Sequence, residues 1–362
     1  MRLGTIAVSL TAACLVPQAA VAQQGGQGPL LPVAPLFADY AVLELRLVAP
    51  LTSVLGERGE ERNYRNGTLT YGDPDAGLVT LDVEVRTRGN FRARPENCDF
   101  PPLRLNLEQR QVEGTVFAGL DKLRLVTHCR DGDAEYEQYV LREYLVYRVF
   151  SELTELSIRA RLARITYVDS EDRRDEITRF AFFVEDYGET ARRNGWELLA
   201  VPRVLPGQYD QHHLSVFEVF QYLIANTDWS VIFADSGSSR CCHNAVPVGS
   251  YAGPVFPLPF DFDFAGLVAA RYARADSRFG ARPLPERRFW GICRGRETLE
   301  GAFPVFNERR DAIYRLYREA GALEGRYRDR VLQYFDEFYG VINDPDKVER
   351  ELVGRCREAT VR

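Results

Sequence analysis

Two aspartates two residues apart, Asp261 and Asp263, lie in Pro259-Phe260-Asp261-Phe262-Asp263-Phe264-Ala265-Gly266, where prolines and large aromatics imply a buried setting. In an extended segment both project to one face, and two hard carboxylates side by side suit Mg2+. A lone cation stands out upstream. Of 46 basic residues only Lys122 and Lys347 are lysine, so the chain uses arginine almost wherever a cation is needed. A lysine retained in such a background is a candidate for a tight phosphate site, because its compact charge and the planar guanidinium are not interchangeable. Glu143 falls on the apolar stripe of the next helical segment, 21 residues on, and a carboxylate there requires a cation or donors. Asp228, after a helix in Asn226-Thr227-Asp228, is either a turn former or a group that orients a hydroxyl nucleophile.

The elements that must position these residues follow from periodicity. Leu43, Leu45 and Leu47, then Leu81, Val83 and Val85, then Leu103, Leu105 and Leu107 alternate with polar residues, and Asn66-Gly67 signals a hairpin turn. Lys122 to Val126 is a further short strand, with Lys122 and Arg124 on one face. From Ala134 to Leu153 the period becomes helical through Tyr136, Tyr139, Val140, Tyr144 and Tyr147. Two more strands, Ile158 to Val168 and Arg179 to Val184, end at Glu185-Asp186. Beyond them Ser215-Val216-Phe217-Glu218 has the form of a capping box opening a helix to about Ala225, and Arg309 to Glu319, Arg326 to Tyr339 and Asp346 to Cys356 carry helical periodicity. The expected class is α+β, with a β-rich N-terminal lobe at 41–186 and a mainly helical C-terminal lobe at 187–362.

Residues 1–22 have the form of a cleavable signal peptide: Arg2, an apolar run from Ile6 to Val16, and Ala20-Val21-Ala22 as the cleavage site. A lipoprotein anchor at Cys14 is the weaker reading, since Thr11-Ala12-Ala13 lacks an aliphatic residue three places before it. Residues 23–40, rich in Gly, Gln and Pro at first, are expected to form a flexible leader. Six cysteines follow, Cys98, Cys129, Cys241, Cys242, Cys293 and Cys356, an even set that suits disulfides in a secreted or periplasmic protein, with Cys98 to Cys129 the favoured pair. Cys241-Cys242-His243 is the one stretch that looks like zinc ligands, and no C-x-x-C pair accompanies it. The net charge of -6 is spread among interspersed Arg, Asp and Glu, which points away from nucleic acid, and no later segment is long enough to span a membrane. His128, His212, His213 and His243 make no nucleophile constellation.

Taken together, Arg88-Gly89-Asn90, the Lys122 strand, the Arg142-Glu143 helix, Tyr222 to Asp228 and Phe260 to Asp263 resemble the spore-coat CotH family of atypical protein kinases, over about residues 80 to 270; HipA-like kinases share the general order. The resemblance implies a bilobal, protein-kinase-like fold that uses ATP and Mg2+ to phosphorylate a protein hydroxyl. It implies that Lys122 binds ATP phosphates, Glu143 fixes Lys122, Asp228 is the catalytic aspartate, and Asp261 with Asp263 hold Mg2+. Asn244 would be a second metal ligand, although 16 residues separate it from Asp228, against five in ordinary kinases. No Gly-rich phosphate loop is present, so Arg88 to Arg92 is the segment to replace it, and Arg124 competes with Lys122 for the phosphates. A non-catalytic, disulfide-stapled envelope protein and an AMP transferase on the same site are the alternatives.

Overall fold

Alternation of apolar and polar side chains makes half-buried strands, and seven of them form one sheet: β1 (Leu43–Ala49), β2 (Arg65–Asp73), β3 (Gly77–Thr87), β4 (Leu103–Leu107), β5 (Lys122–Val126), β6 (Ala160–Asp169) and β7 (Ile177–Val184). The computed structural model describes residues 31–235, 237–273 and 286–359; the expected signal peptide lies outside them. The sheet is a closed barrel in the order β1-β2-β3-β4-β5-β7-β6. Every pair is antiparallel except β1 with β6, which run parallel from Leu43 opposite Ala163 to Ala49 opposite Asp169.

That closure overturns the expected bilobal, protein-kinase-like fold. The β-rich part is a closed barrel with helices around it. Alternation shows that each strand has a buried face, but it says nothing about which distant strands become neighbours. Pairing β1 with β6 over seven residues abolishes both sheet edges.

Leu45, Leu47, Leu69, Val83, Val85, Leu105, Leu123, Leu125, Ile165 and Phe183 fill the barrel. Short helices α1 (Pro35–Ala38), α2 (Leu51–Gly56) and α3 (Gln109–Val112) accompany it. Leu36 and Phe37 of α1 are fully buried in this core, so the end of the expected leader is packed structure. Asn66-Gly67 makes no turn; it lies inside β2, and the chain reverses at Asp73, whose carboxylate accepts from the Asp75 and Ala76 amides at 2.9 Å. Gly67 is there for close approach: a Cβ would stand 2.5 Å from the Val48 carbonyl oxygen.

Helix α4 (Ala134–Leu153) has the bounds its periodicity predicts, with the Asp133 carboxylate accepting from the Glu135 amide. It packs against β6 and β7, meeting the residues that alternate with the barrel core: Phe182 faces α4 while Phe183 faces inward. The remaining chain forms α5 (Tyr187–Arg193), β8 (Glu197–Leu198), α6 (Gln211–Leu223), β9 (Ala245–Gly249), β10 (Val255–Pro259), α7 (Arg296–Glu300), α8 (Phe303–Arg318), α9 (Gly325–Ile342) and α10 (Pro345–Glu351). A three-stranded sheet, β10-β9-β8, stands among the expected helices. Helix α6 begins four residues before the expected capping box because Asp210 caps it, accepting from the His213 amide at 2.8 Å. Ser215 and Glu218 instead lie inside the helix, where Glu218 pairs with Arg294.

Disulfides join Cys98 to Cys129, as favoured from the sequence, Cys241 to Cys242, and Cys293 to Cys356. They fit an oxidising compartment. Among the described residues no helix is long and apolar enough to cross a membrane.

His213 of α6 is buried against Phe150 and Phe256, and burial pushes its pKa down to about 4. The folded state thus holds it neutral while the unfolded chain protonates near 6.5. Stability is expected to be fully present above pH 6.5 and to fall toward pH 4, by up to about 1.4 kcal/mol per unit from this group. Urea unfolding at pH 7 and 5 checks this: His213→Leu should show a shallower loss than the parent, and equal losses would refute it.

Candidate functional site

Where β3 ends, Arg88-Gly89-Asn90-Phe91-Arg92 leads the chain off the barrel; Gly89 has φ +91°, a conformation glycine adopts without a Cβ clash. The Arg88 amide donates to the Pro102 carbonyl at 2.8 Å, and the Phe91 ring packs on Phe264 and Tyr272. Arg92 is thereby turned inward. Its Nη1 donates to Glu143 Oε2 at 3.2 Å and its Nη2 to Asp261 Oδ1 at 3.1 Å, while its Nε lies 3.3 Å from Asp263 Oδ2. The partner demanded by the buried Glu143 is therefore Arg92.

Glu143 lies in the middle of α4, one turn before Tyr147, whose hydroxyl accepts from the Asp261 amide at 3.0 Å. Asp261 has φ +58°, so the segment after β10 bends here and is not the expected extended run. Both aspartates still reach one guanidinium, because Phe262 between them is anchored in the core against Tyr147 and Phe220.

Three carboxylates share one buried arginine. Burial raises the Glu143 pKa to about 7, with Arg92 opposing and Asp261 adding repulsion. Asp263 is pushed well above the usual carboxylate range, again by burial first, against the pull of Arg92 and with repulsion from Asp261, Glu143 and Asp228. Glu143 Oε1 is buried with no hydrogen-bond partner. Burial thus favours the protonated forms of Glu143 and Asp263 in this cluster.

Asp228 adjoins it through that repulsion. Its amide donates to Asn226 Oδ1 at 3.0 Å, which fixes the Asn-Thr-Asp turn after α6. Asn244 donates through Nδ2 to Asp228 Oδ2 at 3.0 Å, and His243 Nε2 lies 2.8 Å from Asp228 Oδ1. The other imidazole nitrogen, Nδ1, lies 2.9 Å from Asp235. Hydrogen bonding to Asp228, above all, raises the His243 pKa to about 9, so at neutral pH an imidazolium donates to two carboxylates. The long Asp228 to Asn244 segment folds back on itself, and the Phe260 amide ties it to the metal-candidate segment by donating to the Asn244 carbonyl at 3.1 Å.

The structure brings Arg92, Glu143, Asp261 and Asp263 into one network, with Asp228 and Asn244 beside it and Arg88 and Arg124 flanking it. Lys122 does not join them. It is more than half exposed, its one ion pair among the described residues is with Asp121 at 3.9 Å, and it lies on the part of β5 beyond the pairing with β7, which starts at Arg124. His243, which the sequence offered only as a weak zinc candidate beside Cys241-Cys242, has a different role: the two cysteines are joined to each other, and its ring bridges Asp228 and Asp235.

Among the described residues no group of three or more His, Cys, Asp or Glu is arranged to hold a metal ion. Mg2+, however, is ordinarily held by one or two carboxylates with waters and substrate phosphates completing its shell, and Asp261 and Asp263 can supply those two. The buried, unpartnered Glu143 oxygen also fits an added cation. No protein-family model matches this chain, and no curated protein matches it.

Replacing Arg92 with Met leaves the buried Glu143 and Asp263, and the half-exposed Asp261, without their cation and should cost about 3–5 kcal/mol. Lys122→Met should stay within about 0.5 kcal/mol of the parent. Denaturant midpoints decide between the two cations, and the reverse ranking would return Lys122 to the centre of the site.

Proposed function

We propose that this chain is an exported, Mg2+-dependent phosphotransferase that moves the γ-phosphoryl group of ATP to a protein hydroxyl, as its likeness to CotH kinases suggests. The observation that carries the reading is the junction of the Arg92 network with Asp228: two hard carboxylates for a cation lie beside an aspartate whose two oxygens are separately held. A phosphoryl-transfer site needs little else beyond positioning and charge.

Asp261 and Asp263 would hold Mg2+, which when bound neutralises phosphate charge. Arg92 keeps the two aspartates and Glu143 together. The acceptor hydroxyl oxygen bonds to the γ-phosphorus as the bridging oxygen bond breaks, ADP leaves, and the hydroxyl proton passes to Asp228. His243 and Asn244 aim that carboxylate. The disulfides and the expected signal peptide support a secreted or periplasmic setting.

One observation favours a second reading. Arg92 already engages both candidate metal ligands, as a structural lock in a non-catalytic binding protein would.

Incubating the oxidised protein with Mg2+ and either γ- or α-labelled ATP, with mixed protein acceptors, separates these readings. Transfer of the γ label, reduced about a hundredfold or more in Asp228→Asn and in Asp263→Asn, is expected. Transfer of the α label instead identifies an AMP transferase. No transfer of either label leaves the binding protein.

A further inference from the structure

Two more guanidiniums face the same junction from the barrel rim, and their donors are largely uncommitted. Arg124, on the outward face of β5, lies over the Tyr187 ring at 3.7 Å and donates through Nη2 to Asp186 Oδ2 at 3.1 Å. Its Nη1 is buried and has no hydrogen-bond partner. The other oxygen of Asp186 is committed to the start of α5, where it accepts from the Gly188 amide at 2.8 Å. Arg88, half-buried at the exit of β3, has no hydrogen-bonded or ion-paired side-chain partner among the described residues; Asp261 attracts it while Arg124 and Arg92 repel it. Arg92 cannot serve a ligand, because Glu143, Asp261 and Asp263 occupy its donors.

Two like charges near each other at a partly buried rim, of which only Arg124 is paired, with Asp186, are costly unless an anion joins them. Guanidinium forks match oxyanions with several acceptor oxygens, phosphate above all. We infer that Arg88 and Arg124 form an oxyanion site that grips a phosphate of a polyphosphate ligand beside Asp261, and that it does so without a divalent cation. That the ligand is the donor of a transfer reaction rests on the function proposed above; the binding itself does not. The chemistry is common to a nucleoside triphosphate and to inorganic tripolyphosphate, and the latter is a donor that an exported protein could use where ATP is scarce.

Calorimetric titration of the full oxidised protein in EDTA, with ATP in one arm and sodium tripolyphosphate in the other, tests this. Both are expected to bind, with comparable affinity if the phosphates alone are recognised; binding of ATP alone would assign the source to the nucleotide. Arg88→Ala, which removes no side-chain hydrogen bond or ion pair among the described residues, and Arg124→Ala should each weaken binding about tenfold or more. Arg94→Ala, an exposed arginine of the same loop, should not. Failure of both ligands to bind, or unchanged affinity in Arg88→Ala and in the double variant, overturns the inference. Metal-free binding without label transfer in any assay would sink the phosphotransferase and leave this site standing, whereas label transfer without metal-free binding would sink this site alone.

Discussion

A single buried guanidinium shared by three carboxylates governs the architecture around the candidate site. Arg92 comes from the loop after β3, Glu143 from α4, and Asp261 and Asp263 from the bend after β10, so one side chain ties the barrel rim to two elements of the rest of the chain. Ion pairs of this kind are weak sources of net stability, because desolvation offsets attraction, but removing one partner strands the others. The arrangement therefore fixes relative position more than it adds free energy. Burial, only partly opposed by Arg92, raises the pKa values of Glu143 and Asp263 and favours their protonated forms.

Closure of the barrel sets the stage for this. With β1 and β6 paired, the direction in which β3 releases Arg88 and Arg92 and the face on which β5 presents Arg124 are held by a continuous ladder. Helix α4 is held against β6 and β7 by Tyr144, Tyr147 and Phe182, which places Glu143 under the rim. On the far side, the turns after α6 and after β10 are joined by amides from Gly266 and Leu267 to the carbonyls of Ala225 and Ile224, so Asp228 and Asp263 cannot move independently.

Much of this was legible in the sequence where local chemistry decides it. The bounds of α4 and β5 follow from periodicity, and the need of Glu143 for a cation follows from its place on an apolar stripe. The identity of that cation did not follow. Lys122 drew attention through its rarity, yet rarity carries no geometry; β5 leaves it beyond the β7 ladder, while Arg92, flanked by Phe91 and Ala93, is the residue carried inward. Asp261 and Asp263 were found for a reason that fails in detail, since the segment bends at Asp261 instead of running extended. Barrel closure was illegible because it joins strands more than a hundred residues apart, and the role of His243 because 15 residues separate it from Asp228.

Anomalous diffraction from crystals grown with Mn2+ and tripolyphosphate tests most directly whether the Arg92 cluster is completed by a cation and an anion. The expected result is a Mn2+ peak on the Asp261 and Asp263 carboxylates, with phosphate density reaching Arg88 and Arg124. A metal bound elsewhere, or carboxylates still fully engaged by Arg92 with no metal and no phosphate beside them, would contradict it.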